Sequence, residues 1–430
     1  MIFRSEMVSA HWDTWCYFHE GTYHLYYLVT ESSPGEGFGV ATSTDGVHWR
    51  DHGWAVRASD RMVHFLGTGS VWPDPGREGR FLCNYSEHRL DDSGKRRQCI
   101  LFAWSDDLIH WTKFGDDRIF RIDERYYERY GRWDCIFAIP REEGGYWGTW
   151  TASPSGRGGL NGGIGIGLSE DGLRWEALPP PEVIPDADES GAMAEVDGRL
   201  HAMFGGFGRG MLAYSADGVR GPFRLAGENA LLLRAGHTYF SRYFDSPDGI
   251  LVNHHSMDGR KINSGRPVTY LAPFKKLVVD EEGVQRWLWW RGNERLKGQT
   301  PLPRGDGDFQ NGVVLQGRLQ ATGGDYREVR FSVDDQAYAI RAADDGPVTF
   351  LKYDAGERTW APLQSADRQL PPSRTWEFRL LARRGMVEFY MDDNFIECCS
   401  LGRPDGKRFI HLTEEPDGAD PFAGMWEMTL

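Results

Sequence analysis

The chain has 430 residues with 63 acidic side chains against 49 Lys and Arg, a net charge of -14, 53 Gly and 13% aromatic residues, 17 of them Trp. That length holds two domains that each bury a core, and the acidic balance excludes nucleic acid or an anionic membrane as the main partner. No apolar run of about 18 residues spans a membrane, and the opening MIFRSEMVSAHWD has no apolar signal core, so a cytoplasmic location is expected.

Many aromatics with many glycines suit an all-β chain with numerous tight turns. Most Trp are expected in the core, and a minority in surfaces that stack on sugar rings. The six Cys form no CxxC pair, so neither a zinc site nor a disulfide framework is expected, and no cofactor is called for.

The first element, HWDTWCYFHEGTYHLYYLV (11–29), alternates apolar and polar residues and reads as a strand, a turn at Gly21 and a second strand. It begins with an acid, Asp13, between Trp12 and Trp15. Next comes STDGVHW (43–49), a phrase that returns as SDDLIHW (105–111), SEDGLRW (169–175) and, more weakly, SADGVRGPF (215–223). Each copy follows a strand-like run, and its Asp reads as a turn residue that bonds its own backbone. The Trp or Phe after it is expected to pack between sheets.

A second phrase, a strand ending near Gly followed by an aromatic strand, occurs in FHEGTYHLYYLV, PDPGREGRFLCNYS, IPREEGGYWGTWTA, EVDGRLHAMFGG and FDSPDGILVNHHS. Repeated short-strand units of this length predict a five-bladed β-propeller. The repeats fade near residue 270, and 271–299 reads as closing strands and a connector. After PLPRGDGDFQ, alternating segments such as YREVRFSV and TWEFRLLA predict an antiparallel β-sandwich. The expected boundaries are a propeller over 1–298, a linker over 299–306 and a sandwich over 307–430.

Aligned on the Gly of the second phrase, Asp13 lies eight residues before Gly21, Asp134 ten before Gly144 and Glu189 nine before Gly198. Acids at strand starts are common on solvated rims. Three at equivalent offsets, two of them flanked by Trp, point instead to carboxylates converging at one mouth of a propeller channel. Glycosidic cleavage needs a carboxylate and a carboxylic acid across the bond, and a third carboxylate can hold sugar hydroxyls. Glu195 competes with Glu189, but its spacing suits the strand body. His64, His237, His254 and His255 could line the channel, with no spacing that indicates metal ligation.

On these residues the chain resembles glycoside hydrolase family 32, with echoes of family 68. HWDTWCYFHEGTYHLYY resembles that clan's first block, nearer W-D-S-W than N-D-P-N, and FLGTGSVWPDP (65–75) its second. RWDCIFAI (132–139) resembles the R-D-P block and ESGAMAEVDG (189–198) the E-C-P or E-R-P block. The resemblance implies Asp13 as nucleophile, Asp134 as transition-state stabiliser and Glu189 as general acid/base. It implies a sugar pocket shaped by Trp12, Trp15, Phe65, Thr68, Trp72, Arg132 and Trp133.

The chain departs from the pattern where Trp133 separates Arg132 from Asp134, where Cys135 replaces a Pro, and where Ser190 and Gly191 follow the Glu. These changes touch the subsite that reads the furanose. The implied activity is a retaining β-fructofuranosidase type, by hydrolysis or transfer, on a short fructose-containing oligosaccharide. An inverting arabinofuranosidase or xylosidase of the related five-bladed family 43 type, and a non-catalytic sugar-binding propeller, stay open beside it. The partner is a small carbohydrate, and a homo-oligomer is left open.

Overall fold

The computed structural model describes residues 1–430 apart from 9, 30–35, 59–61, 157–161, 207, 209, 228–229, 235, 262–264, 304–305, 321–325, 344–346, 367–374 and 413–421. The described residues are almost entirely strand and turn, and two 3-10 turns are their only helical segments. No helix among them is long and apolar enough to cross a membrane.

Consecutive strands fold into antiparallel meanders. The first holds β1 (Trp12–His19), β2 (Thr22–Val29), β3 (Gly37–Ser43) and β4 (Arg50–Arg57) in that order. The second holds β5 (His64–Pro73), β6 (Phe81–Leu90), β7 (Arg96–Ser105) and the short β8 (Thr112–Lys113) and β9 (Phe120–Arg121). The third holds β10 (Trp133–Pro140), β11 (Tyr146–Ala152), β12 (Ile164–Ser169) and β13 (Glu176–Leu178). The fourth joins β14 (Val183–Ile184), β15 (Glu189–Val196), β16 (Arg199–Gly206), β17 (Gly210–Ala216), β18 (Phe223–Leu225) and β19 (Leu231–Arg234). Then follow β20 (Thr238–Ser246), β21 (Gly249–Lys261), β22 (Pro267–Leu271), β23 (Lys275–Val279) and β24 (Gln285–Trp289).

The first long strands touch in a closed circuit, β1 to β5, β10, β15, β20 and back to β1. The sheets therefore radiate from a common axis, as in a β-propeller. The hairpin turns follow from residue type. Glu20-Gly21 and Asp197-Gly198 connect directly paired strand ends with positive φ at both residues, the conformation a two-residue type I′ turn requires.

The recurring S-x-D phrase closes the outer turns. Asp45 Oδ1 accepts from the backbone N–H of Val47 and His48 at 2.9 Å, and Asp107 and Asp171 repeat this in their own turns. The Trp that follows packs on a neighbouring sheet. Trp111 meets Tyr26, Trp175 meets Trp72, and Trp49 meets Phe274 beside β23.

The remaining strands form two stacked sheets. One comprises β25 (Asp306–Asp308), β27 (Tyr326–Val333), β28 (Gln336–Ala343), β29 (Val348–Asp354), β30 (Thr359–Ala366) and β34 (Arg408–His411). The other comprises β26 (Val313–Gln320), β31 (Thr375–Arg383), β32 (Met386–Met391), β33 (Asn394–Ser400) and β35 (Phe422–Glu427), and β33 pairs with β24. One core lies between these sheets. The β26-containing sheet is buried on its other face as well. Leu380, Val387 and Phe389 point into the sandwich core, while Leu381, Met386 and Tyr390 join the core of the propeller. This is why MVEFYM of β32 is buried at every position. β25 starts at the end of the expected linker, whose residues 304–305 lie outside the described residues.

Candidate active site

Each strand of the inner circuit is irregular near its start. Pairing slips by a bulge between Trp12 and Trp15 in β1, Asp134 and Phe137 in β10, Ser190 and Ala192 in β15, and Tyr239 and Ser241 in β20. Asp13, Cys135 and Phe240 take positive φ there, at +46°, +44° and +44°. A bulge re-aims a side chain and leaves backbone groups unpaired.

Neighbouring strands supply those missing partners. Asn253 Nδ2 donates to Thr14 O at 3.1 Å, and the Thr14 hydroxyl lies 2.9 Å from His255 Nε2. The Thr68 hydroxyl donates to Asp13 O. Asn84 clamps Ile136 from both sides, with Nδ2 donating to its carbonyl at 2.9 Å and Oδ1 accepting from its N–H at 2.7 Å. Thr151 Oγ1 accepts from Ser190 N at 2.9 Å. Asp13 thus stands on strained backbone, and the bulged segments that carry Asp134 and Glu189 are likewise tied to neighbouring sheets.

The bulges bring Asp13, Asp134 and Glu189 to the wall of one cavity of about 300 Å³. That is at the lower end of the usual range for small-molecule pockets. Arg132 links two of the acids. Its Nη2 lies 3.3 Å from Asp134 Oδ2 and 3.2 Å from Glu189 Oε1. Thr151 Oγ1 donates to Glu189 Oε1 at 2.8 Å. The Cys135 thiol donates to Asp134 Oδ1 at 3.0 Å, and Cys135 N donates to Ser86 Oγ at 2.8 Å. Between Asp13 and Asp134 sits Gly67, where a Cβ would come within 2.9 Å of Cys135 Sγ and 3.0 Å of Asp13 Oδ2. The absence of a side chain there leaves room for the carboxylates.

Burial, then the facing Asp134 carboxylate, pushes the Asp13 carboxyl up to about 7, against the pull of Arg242. Glu189 is also raised, mainly by burial. Arg132 opposes that shift and Asp134 reinforces it. Two close acids whose protons are held above the ordinary carboxylate range titrate as a coupled set.

Of the expected pocket residues, Trp12 and Arg132 line the cavity. The others are placed elsewhere. Trp15 is buried between Phe137 and the Arg242 guanidinium, 4.2 Å from its ring. Phe65 is fully buried and stacks on Tyr85. Thr68 is buried and acts through the Asp13 backbone. Trp72 packs against Trp175 and Tyr146, and Trp133 against Phe120 and Trp150. The bulges break the two-residue alternation, so Trp15 and Trp133 turn into the core while Trp12 stays at the cavity.

Glu195 is exposed toward the far end of β15, away from Glu189. His254 and His255 are buried, His237 Nδ1 accepts from Ser400 N, and His64 sits beside Glu36. Leu28, Leu66, Gln98 and Arg266, which complete the wall, and the buried Arg242 were not among the residues expected from the sequence. A signal existed for Arg242, which lies seven residues before Gly249, near the offset of the acids.

Residues 13–201 match the model of the glycosyl hydrolases family 32 N-terminal domain. No curated protein sequence matches the chain. Among solved structures, sucrose-6-phosphate hydrolase from Lactobacillus gasseri is similar at 16% identity and a TM-score of 0.72, over 95% of this chain and 88% of that one. Fructan 1-exohydrolase IIa from Cichorium intybus is similar at 14% identity and a TM-score of 0.71, over 99% and 96%. A β-fructofuranosidase from Bombyx mori is similar at 12% identity and a TM-score of 0.69, over 97% and 91%. At these identities the likeness is one of fold, a β-propeller followed by a β-sandwich.

Proposed function

Because residues 13–201 match the glycosyl hydrolases family 32 N-terminal domain, we propose that the chain is a retaining β-fructofuranosidase-type enzyme of that family acting on a short fructose-containing oligosaccharide. The chain is a glycoside hydrolase, and the activities named for its structural relatives put fructosides first. The observation that carries the reading is the convergence of Asp13, Asp134 and Glu189, from three sheets, on one cavity.

In this reading Asp13 attacks the anomeric carbon as the glycosidic bond breaks. Glu189 gives its proton to the leaving oxygen. Glu189 then takes a proton from water, which attacks the glycosyl-Asp13 ester and frees the sugar and the Asp13 carboxylate. Asp134 accepts hydrogen bonds from sugar hydroxyls and balances the cationic transition state. Arg132 keeps Asp134 and Glu189 apart and oriented.

We read the circuit of first strands as five blades within 1–298, followed by a linker over 299–306 and an accessory sandwich over 307–430. The closed circuit of β1, β5, β10, β15 and β20 supports the blade count.

The test is sugar release from sucrose, inulin- and levan-type oligosaccharides, cyclic difructose and aryl arabinofuranosides, by the protein and by Asp13→Asn. Fructose release that disappears in the variant supports the reading. Proton NMR of the first-formed anomer checks retention. Inversion, or arabinose release, moves the protein to a family 43 type of reaction.

A further inference from the structure

Strand β21 runs on past Ser256, which pairs with Thr238 at the start of β20. Its last residues, from Asp258 to Lys261, therefore extend beyond the inner strand, where they meet the sandwich. Arg384 and Gly385 form the two-residue turn between β31 and β32, with φ of +48° and +81°. That turn packs on β21, since a Cβ on Gly385 would lie 3.1 Å from Asp258 O. The opening segment of the chain reaches the same place, because Phe3 pairs with Leu271 at the end of β22.

These three segments gather four arginines around one tyrosine. Tyr270 is buried, and its hydroxyl lies 3.4 Å from Arg260 Nη2 and 3.3 Å from Arg384 Nη1. Arg4 lies over its ring, 5.0 Å from the centroid. Arg383 adjoins Arg384 and donates through Nη1 to Met1 O. Asp258, fully buried, accepts from Arg260 Nε at 2.9 Å.

The sandwich arginines have no such partner. Among the described residues, neither Arg383 nor Arg384 makes an ion pair. Arg384 donates to the Tyr270 hydroxyl and, at 3.4 Å, to Gln310 O. Arg383 Nε is buried with no hydrogen-bond partner. Burial, then the Arg384 and Arg4 guanidiniums, pull Arg383 down to about 10, against the influence of Tyr270. Cations held this close repel one another, and a buried donor without a partner is costly. The gathering is the more notable in a chain of net charge -14. An anion among them would relieve the repulsion and take up the open donors. The forks approach from both domains and from above the tyrosine ring, which suits an anion with oxygens in several directions better than a planar carboxylate.

We propose that this cluster binds a tetrahedral oxyanion, inorganic phosphate or a phosphate monoester, across the seam between propeller and sandwich. The anion accepts from Arg383 and Arg384 on one side and from Arg4 and Arg260 on the other. It fastens the root of the β21–β22 hairpin, whose Arg266 lines the catalytic cavity. Its binding does not depend on which sugar the cavity cleaves.

The test is calorimetric titration of the wild type and its variants with inorganic phosphate and with glucose 6-phosphate, in chloride buffer of matched ionic strength. Arg384→Gln leaves no carboxylate without its partner, and Arg4→Gln probes the propeller side. Arg220→Gln, at an exposed position in the β17–β18 turn, removes the same charge elsewhere. Melting in phosphate-free buffer checks that each variant folds. Phosphate should bind the wild type and Arg220→Gln alike, and Arg384→Gln and Arg4→Gln about tenfold more weakly or worse. Arg384→Lys keeps the charge without the fork and should fall between. The rise in melting temperature on adding phosphate should follow the same order.

Tighter binding of glucose 6-phosphate, with the same dependence on Arg384, supports the site and makes a monoester its occupant. Equal binding of the two supports the site and makes the inorganic ion its occupant. No saturable binding to the wild type overturns the proposal. So does binding that Arg384→Gln leaves intact, or that Arg220→Gln weakens as much. The furanosidase reading stands or falls separately, on Asp13→Asn.

Discussion

Two clusters of ionisable groups, one half-buried at the cavity and one fully buried at a seam, are built in opposite ways. At the cavity, Asp13, Asp134 and Glu189 face one another with Arg132 bridging two of them. At the seam between propeller and sandwich, Glu388 of β32 meets Lys275 Nζ at 2.8 and 2.9 Å, His254 Nε2 at 3.3 Å and the Tyr390 hydroxyl at 2.9 Å. Burial works to raise both Glu388 and Asp13. At the seam Lys275 and His254 outweigh it and hold Glu388 at about 2, whereas at the cavity Asp134 adds to it and Asp13 rises to about 7. The sign of the neighbours decides the outcome. A cluster of complementary charge keeps its carboxylate ionised, and a cluster of like charge makes ionisation costly.

The comparison breaks most sharply at Asp13. Asp13→Asn keeps the shape and removes the proposed attacking group, so kcat/KM should fall by about a thousandfold or more. Glu189→Gln should cost about 10² to 10⁴ on natural glycosides. It should cost less on aryl glycosides, whose leaving groups need no proton. Equal losses on both substrates would remove Glu189 from the acid role.

At the seam the same kind of change should leave the chemistry alone and damage the fold. Lys275→Met strands Glu388 as an uncompensated buried anion, an expected loss of about 3–5 kcal/mol in denaturant unfolding. Lys275→Met combined with Glu388→Leu should recover most of it. Failure of the double variant to recover would mean that the pair is not balanced as described.

Cys135 gives an effect of intermediate size. Its φ is +44°, and its N–H donates to Ser86 Oγ. Proline can adopt neither that φ nor that hydrogen bond. Cys135→Pro, the residue of the family pattern, should therefore cost about 3 kcal/mol through strain and the lost bond. Cys135→Ser keeps a donor toward Asp134 and should cost far less. Comparable melting temperatures for the two variants would contradict the bulge geometry.

The convergence of the three acids was legible in the sequence because each stands eight to ten residues before a hairpin glycine. The turns were legible because Asp in S-x-D bonds its own backbone. Both are local regularities, carried by few residues. The environment of the indoles was not legible. Trp12 and Trp15 flank the same acid, yet one lines the cavity and the other lies under Arg242, because the bulge at Asp13 shifts the alternation between them. Gln98, Arg266 and Arg242 were missed for a different reason. They reach the site from β7, from the β21–β22 connection and from β20, and no local pattern joins those segments to Asp13.

The smallest effect sharpens the contrast, because in it activity and stability move in opposite directions. Asp13 has a raised pKa in the fold, so its proton binds more tightly there than in the unfolded chain. The stabilisation this gives is complete below the ordinary carboxylate pKa near 4 and is lost as pH rises through about 7. Above pH 7 the native chain holds an ionised Asp13 facing Asp134. Asp13→Asn removes that repulsion. The variant should therefore be more stable than the wild type at pH 8, by on the order of 2 kcal/mol, with little gain at pH 4. Glu388, held low, acts in reverse. Its contribution is present above about pH 4 and is lost as pH falls toward 2. Denaturant midpoints for both proteins across this range test the sign at each cluster. A variant no more stable than the wild type at pH 8 would mean that Asp13 meets no net repulsion, and the cavity would then resemble the seam.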